Sequence, residues 1–172
     1  MSRQDYTKAL ELINQHKDRE ISSRKLVRVT GDIPEKHIQY MEEVLGYALK
    51  ESLYGHFLVH IGDLSFGSIE IDGIFRKNDT YLCIALDRTL KAHEEGDLPK
   101  NLLIIQDGLF AGERICLDLS KKNDAGEYPV VARRAGGSEM DPTYEKLAED
   151  FGEYLLHQLE EEIQYLKEEG EW

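Results

Sequence analysis

The spacing of apolar residues along the chain predicts a series of helices. Apolar residues recur at intervals of three or four, which is typical of a helix with one buried face. The predicted helices cover approximately residues 6–16, 34–46, 49–61, 79–95 and 142–168. Asp32 is expected to cap the second helix and Asn78 or Asp79 the fourth, while Gly46 is expected to end the second. In the last helix, the apolar stripe faces inward and most of the acidic residues face solvent.

Other segments have the pattern of strands. Residues 22–30 are expected to be extended, and residues 68–75 alternate apolar and acidic side chains, as in a half-buried strand. Three further strands are predicted at residues 102–106, 114–119 and 128–133, separated by turn-forming residues rather than helices. Consecutive strands of this kind favour antiparallel pairing. The expected class is therefore α+β, a mainly antiparallel sheet with N-terminal helices and a long C-terminal helix packed on it.

Chain length and composition are those of one folded domain. The 172 residues are 41% hydrophobic and 32% charged, which favours a single globular domain over residues 1–172. No apolar run reaches the roughly 20 residues that span a bilayer, and the first ten residues lack the apolar core of a signal peptide. The two cysteines, Cys83 and Cys116, are far apart and indicate neither a disulfide framework nor a zinc site. We therefore expect a cytoplasmic protein.

The charge balance narrows the range of partners. The formal net charge is -13, from 34 acidic and 21 basic residues. Direct binding to nucleic acid or to an anionic membrane would begin with repulsion, whereas a cationic partner would be attracted. Residues 1–37 carry a net charge of +2, residues 38–144 carry -7, and residues 145–172 carry -8. The middle segment is thus the expected recognition surface, and the C-terminal helix is expected to be mainly a solvated face.

The chain contains none of the sequence motifs of the common catalytic classes. No dinucleotide-binding or Walker loop is present, nor a nucleophile elbow or a zinc-protease motif, so no cofactor is expected. His56 and His60 have the i, i+4 spacing of a metal-binding pair, but no third ligand is evident and we expect no metal. Cys83 and Cys116 lie among apolar residues and are expected to be structural.

Acidic residues and loop aromatics are the remaining candidates for a site. Glu70 and Asp72 share one face of their predicted strand, and Glu113 and Asp118 lie close to another strand. These residues fit a solvated sheet face, an acidic recognition surface or, less readily, an acid–base pair. Phe66 and Phe110 stand between glycines, where an aromatic ring either closes the core or anchors an interface.

Several short motifs, in order, resemble the SUKH superfamily. The stretch from Glu43 to Leu58, EVLGYALKESLYGHFL, is similar to its opening pattern E-x-x-L-G-x-x-L-P-x-x-Y/L-x-x-F-L. GDLSFGSIEIDGI, from Gly62 to Ile74, resembles its glycine-rich turn and first strand, and later stretches resemble its LP, CLD and GE-x-PVV elements. The resemblance extends over residues 33–159. Lys50 replaces the usual proline, and Arg133 with Arg134 replaces residues that are usually polar or aromatic.

This resemblance implies a binding protein without catalytic residues. Bacterial SUKH proteins commonly act as immunity proteins that neutralise a cognate toxin, often a nuclease, and nucleases tend to be basic. We therefore expect an immunity protein whose acidic surface binds a toxin domain. The residues expected to form this surface are Asp63, Phe66, Glu70, Asp72, Phe110, Glu113 and Asp118.

Two other functions are compatible with the sequence. The fungal members of the superfamily imply a regulatory scaffold that docks an endogenous signalling or cell-wall enzyme. A hydrolase that uses Glu70 and Asp72 is the third possibility.

Overall fold

A computed structural model describes residues 2–107, 113–133 and 144–172. The helices in these ranges are α1 (Ser2–His16), α2 (Glu35–Leu45), α3 (Leu53–His60), α4 (Ile84–Glu94) and α5 (Phe151–Glu168). The first strands are β1 (Glu20–Ile21), β2 (Arg24–Lys25), β3 (Val27–Val29), β4 (Leu64–Phe66) and β5 (Ile69–Ile71). They are followed by β6 (Ile74–Lys77), β7 (Thr80–Cys83), β8 (Leu102–Asp107), β9 (Arg114–Asp118), β10 (Val130–Arg133) and β11 (Tyr144–Ala148).

The strands form two larger antiparallel sheets and two hairpins. One sheet has the order β3-β4-β5 and the other has the order β11-β10-β9-β8. The hairpins are β1-β2 and β6-β7. The two larger sheets meet where β5 ends, because the Asp72 N–H donates a 2.7 Å hydrogen bond to the Ile105 carbonyl of β8. This contact places the end of β5 beside the middle of β8.

The main core lies between the sheets and the helices α1, α3 and α5. Its largest fully buried side chains include Tyr54, Phe57, Phe66 and Phe151. Phe151 contacts both Tyr54 and Phe57, with ring centroids 5.1 Å apart in each pair. These rings fix the start of α5 against α3, so α5 has a defined position over the sheets.

The predicted α+β class is confirmed, together with the antiparallel sheet and the long C-terminal helix. The predicted positions of α1 and α2 and of strands β8, β9 and β10 are close to those observed. Gly46 ends α2 in the left-handed conformation, as expected, with a φ of 78°. Periodicity was sufficient here because each element has one strongly apolar face.

Other element boundaries differ from the prediction. Pro34, not Asp32, is the N-cap of α2, and no side chain caps this helix. The helix predicted at residues 49–61 begins at Leu53, where Ser52 accepts a hydrogen bond from the Gly55 N–H. The single strand predicted at residues 68–75 is two strands, separated at Asp72 and Gly73.

Two predicted helix starts are wrong because the residues pair as strands. Asn78 does not cap a helix but adopts a φ of 57° in the turn between β6 and β7, and α4 begins only at Ile84. The last helix begins at Phe151 with Asp150 as its N-cap, whereas residues 144–148 form β11. Strand pairing supplies backbone hydrogen bonds that the sequence period does not reveal.

A candidate protein-binding cleft

A cleft of about 700 Å³ lies between α5 and the junction of the two large sheets. Its acidic lining residues come from both sheets, from α5 and from the residues that flank these elements. They are Glu70, Asp72, Asp107, Glu113, Glu161 and Glu162. Arg88 of α4 is the one basic residue among the described lining residues. The cleft therefore concentrates negative charge at one place on the molecule.

Arg88 binds two of these carboxylates at one end of the cleft. Its Nη1 atom lies 2.6 Å from Asp72 Oδ2 and 2.8 Å from Asp107 Oδ2. Burial raises the pKa of Asp72 to about 6, and this effect outweighs the opposing attraction of Arg88. The neighbouring Asp107, Glu70 and Asp63 also raise it, so the electrostatic field in this region favours a cation.

The backbone of Asp72 holds several elements in place. Its N–H bonds to Ile105 of β8, and its carbonyl accepts a 2.7 Å hydrogen bond from the hydroxyl of Tyr54 in α3. Its side chain is only 14% exposed. Asp72 therefore acts mainly as a support for the cleft.

Glu162 attaches α5 to the turn before β5. Its Oε1 accepts a 2.9 Å hydrogen bond from the Ser68 N–H, and its Oε2 accepts a 2.7 Å hydrogen bond from Ser68 Oγ. Gly67 lies directly beneath, where an added Cβ would be 2.4 Å from Glu162 Oε1. Glu162 is thus occupied within the fold and fixes one wall of the cleft.

The cleft also exposes apolar surface. Leu147 of β11 is 40% exposed and Tyr165 of α5 is 52% exposed. The half-buried Ile69 and the buried Ile115 also line the cleft. Exposed aromatic and aliphatic groups surrounded by charge are typical of a protein-recognition site.

Gln106 is a lining residue that the sequence did not identify. The pairing of β8 with β9 shifts between Ile104 and Gln106, so Ile105 is an extra residue in the strand. This bulge pairs Gln106 with Ile115, whose side chain belongs to the main core. Gln106 therefore lines the cleft, although simple alternation would place it on the opposite face. The sequence signal for this position is an amide that follows four consecutive apolar residues in the strand.

The structure brings three of the seven predicted surface residues into this cleft. They are Glu70, Asp72 and Glu113. Glu70 is exposed and Glu113 is half-buried. Glu70 and Asp72 both line the cleft, although β5 ends at Ile71 and Asp72 follows the strand rather than lying in it. Helix α5 also contributes acidic residues to the cleft, at Glu161 and Glu162.

Three of the other four lie outside this cleft. Phe66 is 0% exposed, so it packs in the core and cannot contact a partner. Asp63 accepts a hydrogen bond from the Thr30 hydroxyl, away from the cleft lining. Asp118 is buried beside Asn101 and Ser120, and hydrogen bonds from these residues keep its pKa below the usual value despite burial. Phe110 lies outside the described residues.

The two histidines with metal-type spacing, His56 and His60, contact each other in the structure. The rings of His56 and His60 are 4.1 Å apart, and His56 Nδ1 is hydrogen-bonded to the Tyr6 hydroxyl at 2.7 Å. In the described parts of the chain, no three His, Cys, Asp or Glu side chains are grouped so that they could hold a metal ion. Within the same ranges, no helix has the length and apolar character needed to cross a membrane.

Helices packed on antiparallel sheets, with an acidic and partly apolar cleft, define a class of α+β protein suited to protein binding. The chain belongs to the SUKH superfamily: the family model SUKH_5, described as SMI1-KNR4 cell-wall, matches residues 9–160. SUKH domains are generally non-catalytic immunity or regulatory proteins. No curated protein matches the sequence significantly.

Proposed function

We propose that this protein is a cytoplasmic immunity protein that binds and neutralises a cognate toxin domain. The toxin domain is basic, as expected of a nuclease, and it docks on the acidic cleft. The observation that carries this proposal is the cleft itself, which six carboxylates and one guanidinium line together with exposed Leu147 and Tyr165.

Charge and apolar surface have separate roles in such a complex. Concentrated negative charge accelerates the encounter with a basic partner and excludes acidic ones. Apolar groups near the centre of an interface provide most of the binding energy once water is excluded. A nuclease covered at its phosphate-binding surface would be inactive for steric reasons alone, so the immunity protein needs no catalytic group.

The proposed contact residues are a revision of the sequence-based set. Glu70, Glu113, Glu161 and Tyr165 are proposed to contact the toxin, while Asp72 supports them from beneath. Asp63 and Asp118 are acidic positions outside this cleft, and Phe66 belongs to the core.

Co-expression with toxins provides the test. Wild-type protein is expected to restore growth to cells that express a basic toxin domain encoded next to its gene. The triple variant Glu70→Gln, Glu113→Gln, Glu161→Gln is expected to lose this rescue. Its control changes the same charge at three exposed residues outside the cleft, Glu11→Gln, Glu43→Gln and Glu51→Gln.

The outcomes separate the function from the surface. If the wild-type protein rescues cells from no neighbouring toxin, the immunity function is rejected. If both triple variants rescue equally well, the function stands but the cleft is not the binding surface.

A regulatory scaffold is the second candidate, favoured by the cell-wall description of the family. In this case the cleft docks an endogenous signalling or cell-wall enzyme. Deleting the gene in cells without any toxin should then change their resistance to a wall-degrading enzyme. Unchanged resistance would reject this candidate, and the immunity proposal would not be affected.

A further inference from the structure

The cleft already binds one guanidinium group. Arg88 Nη1 contacts Asp72 and Asp107 within 2.8 Å, and the Arg88 side chain is 44% exposed at the cleft wall. A guanidinium matches carboxylates in both geometry and charge better than an ammonium does. The internal contact shows that a guanidinium nitrogen fits between two carboxylates of this cleft.

Three carboxylates in the cleft have no comparable cation in the part of the chain that the structure describes. Within the described ranges, Glu70 and Glu113 form no ion pair, and Glu161 pairs only with His157, one turn earlier on α5. That pair is ionic only when the histidine is protonated. The exposed ring of Tyr165 lines the same cleft and offers a face on which a guanidinium can stack. These groups can bind a second, external guanidinium.

Gln106 adds a hydrogen-bond donor to a cleft that is otherwise rich in acceptors. It is 8% exposed, and its Oε1 accepts a hydrogen bond from the Tyr154 hydroxyl. Among the described residues its amide Nε2 has no acceptor, although the side chain lines the cleft. Because this donor is open to the cleft, an acceptor on a ligand can form a hydrogen bond with it. The ligand should therefore combine a cation with a hydrogen-bond acceptor.

We infer that the cleft binds an extended peptide segment through one arginine side chain and a nearby backbone carbonyl. The guanidinium binds among Glu70, Glu113 and Glu161, beside Tyr165, and the carbonyl accepts from Gln106 Nε2. A polyamine has the charge but lacks the carbonyl, so it satisfies only half of the site. This inference rests on the proposed function only in taking the cleft as the partner-binding site.

Isothermal titration with short peptides tests the guanidinium part. An acetylated and amidated tetra-arginine peptide is expected to bind the purified protein several-fold more tightly than the matched tetra-lysine peptide or spermine. Glu70→Gln with Glu113→Gln should weaken tetra-arginine binding about tenfold, because two charge-assisted contacts are lost. The control pair Glu43→Gln with Glu51→Gln removes the same charge outside the cleft and should change affinity less than twofold.

A second comparison tests the carbonyl contact. Tyr154→Phe alone leaves the Gln106 amide in place, and adding Gln106→Met to it removes the donor without creating an unpaired tyrosine hydroxyl. The double variant is expected to bind tetra-arginine about threefold more weakly than Tyr154→Phe, since a neutral hydrogen bond is lost. Spermine binding should be the same for both variants.

Each result supports or overturns the inference independently of the immunity function. Equal binding of tetra-arginine, tetra-lysine and spermine, or an equal loss with both glutamate pairs, would show general charge attraction and overturn it. Equal affinity of the two Tyr154 variants for tetra-arginine would overturn the proposed carbonyl contact. A protein that binds tetra-arginine as expected but rescues cells from no toxin would keep this site and lose the proposed function.

Discussion

Asp72 connects the chemistry of the cleft to the stability of the fold. Its carboxylate binds Arg88, its N–H bonds to Ile105 and its carbonyl accepts the Tyr54 hydroxyl. Strand alternation predicts that Glu70 and Asp72 lie close together, and both line the cleft, although Asp72 lies just beyond the end of β5. The sequence could not predict Gln106 in the cleft or Phe66 in the core, because a bulge and the packing of several elements decide those positions.

Replacing Asp72 with Asn should change the pH dependence of stability. The pKa of Asp72 is about 6 in the folded protein, above its ordinary value of 3.8, so the folded state binds this proton more tightly than the unfolded state. The stabilisation is therefore complete below about pH 4 and is lost as the pH rises through 6. Relative to Asp72→Asn, wild-type stability should fall by at most about 1.4 kcal/mol per pH unit in this window.

Urea unfolding of both proteins at pH 4, 5, 6 and 7 measures this difference. Asp79→Asn, at an exposed turn residue, is the control and should show no such trend. A difference that grows in favour of the wild type as the pH rises would mean that Arg88 dominates and that Asp72 has a lowered pKa.

Among the secondary-structure elements, apolar periodicity predicted those with a buried face and missed the strands that form because a partner strand is present. Helices α1 and α2 and strands β8 to β10 each have a marked apolar pattern, and they were predicted close to their observed positions. Residues 80–83 and 144–148 are strands because β6 and β10 supply their hydrogen-bond partners. A partner strand elsewhere in the chain leaves no local signal.

The N-terminus of α3 depends on a distant residue, and its loss should destabilise the protein. Both carboxylate oxygens of the buried Glu127 accept from the Leu53 N–H, at 3.0 and 3.2 Å. Glu127→Ala would leave this N–H buried without an acceptor and should reduce the free energy of unfolding by about 1–3 kcal/mol. Chemical denaturation measures the change.

Two further variants serve as controls for the effect of Glu127→Ala on stability. Glu127→Gln keeps an acceptor and should lose less stability than Glu127→Ala, and Asp124→Asn at an exposed neighbouring position should be nearly neutral. Equal stability of Glu127→Ala and wild type would show that water replaces the carboxylate at α3.

For the whole molecule, the net charge of -13 is concentrated in a different way from what the segment counts suggest. Segment counts assigned recognition to residues 38–144 and a solvated role to the C-terminal helix. In the structure Glu161 and Glu162 of α5 line the same cleft as Glu70 and Glu113. Folding brings together charges that are about 90 residues apart, which no local count can show.

Repulsion within the cleft should make stability depend on salt. Like charges held together destabilise the folded state, and added salt screens them. Raising NaCl from about 20 to about 500 mM should increase the melting temperature by a few degrees. Glu70→Gln with Glu113→Gln should raise the low-salt melting temperature and reduce the salt effect more than Glu11→Gln with Glu43→Gln. An equal response of both pairs in thermal melts would contradict a local origin.

The junction between the two large sheets has a consequence for cooperative opening. The Asp72 N–H donates a hydrogen bond to the carbonyl of the bulge residue Ile105, where β5 meets β8. If the two sheets open as one unit, the Asp72 amide should exchange with deuterium at the same slow rate as the most protected amides of β9. If the sheets open separately, the Asp72 amide should exchange faster than the most protected amides of either sheet. The exchange rate of one amide thus reports whether the molecule unfolds as one cooperative unit or as two.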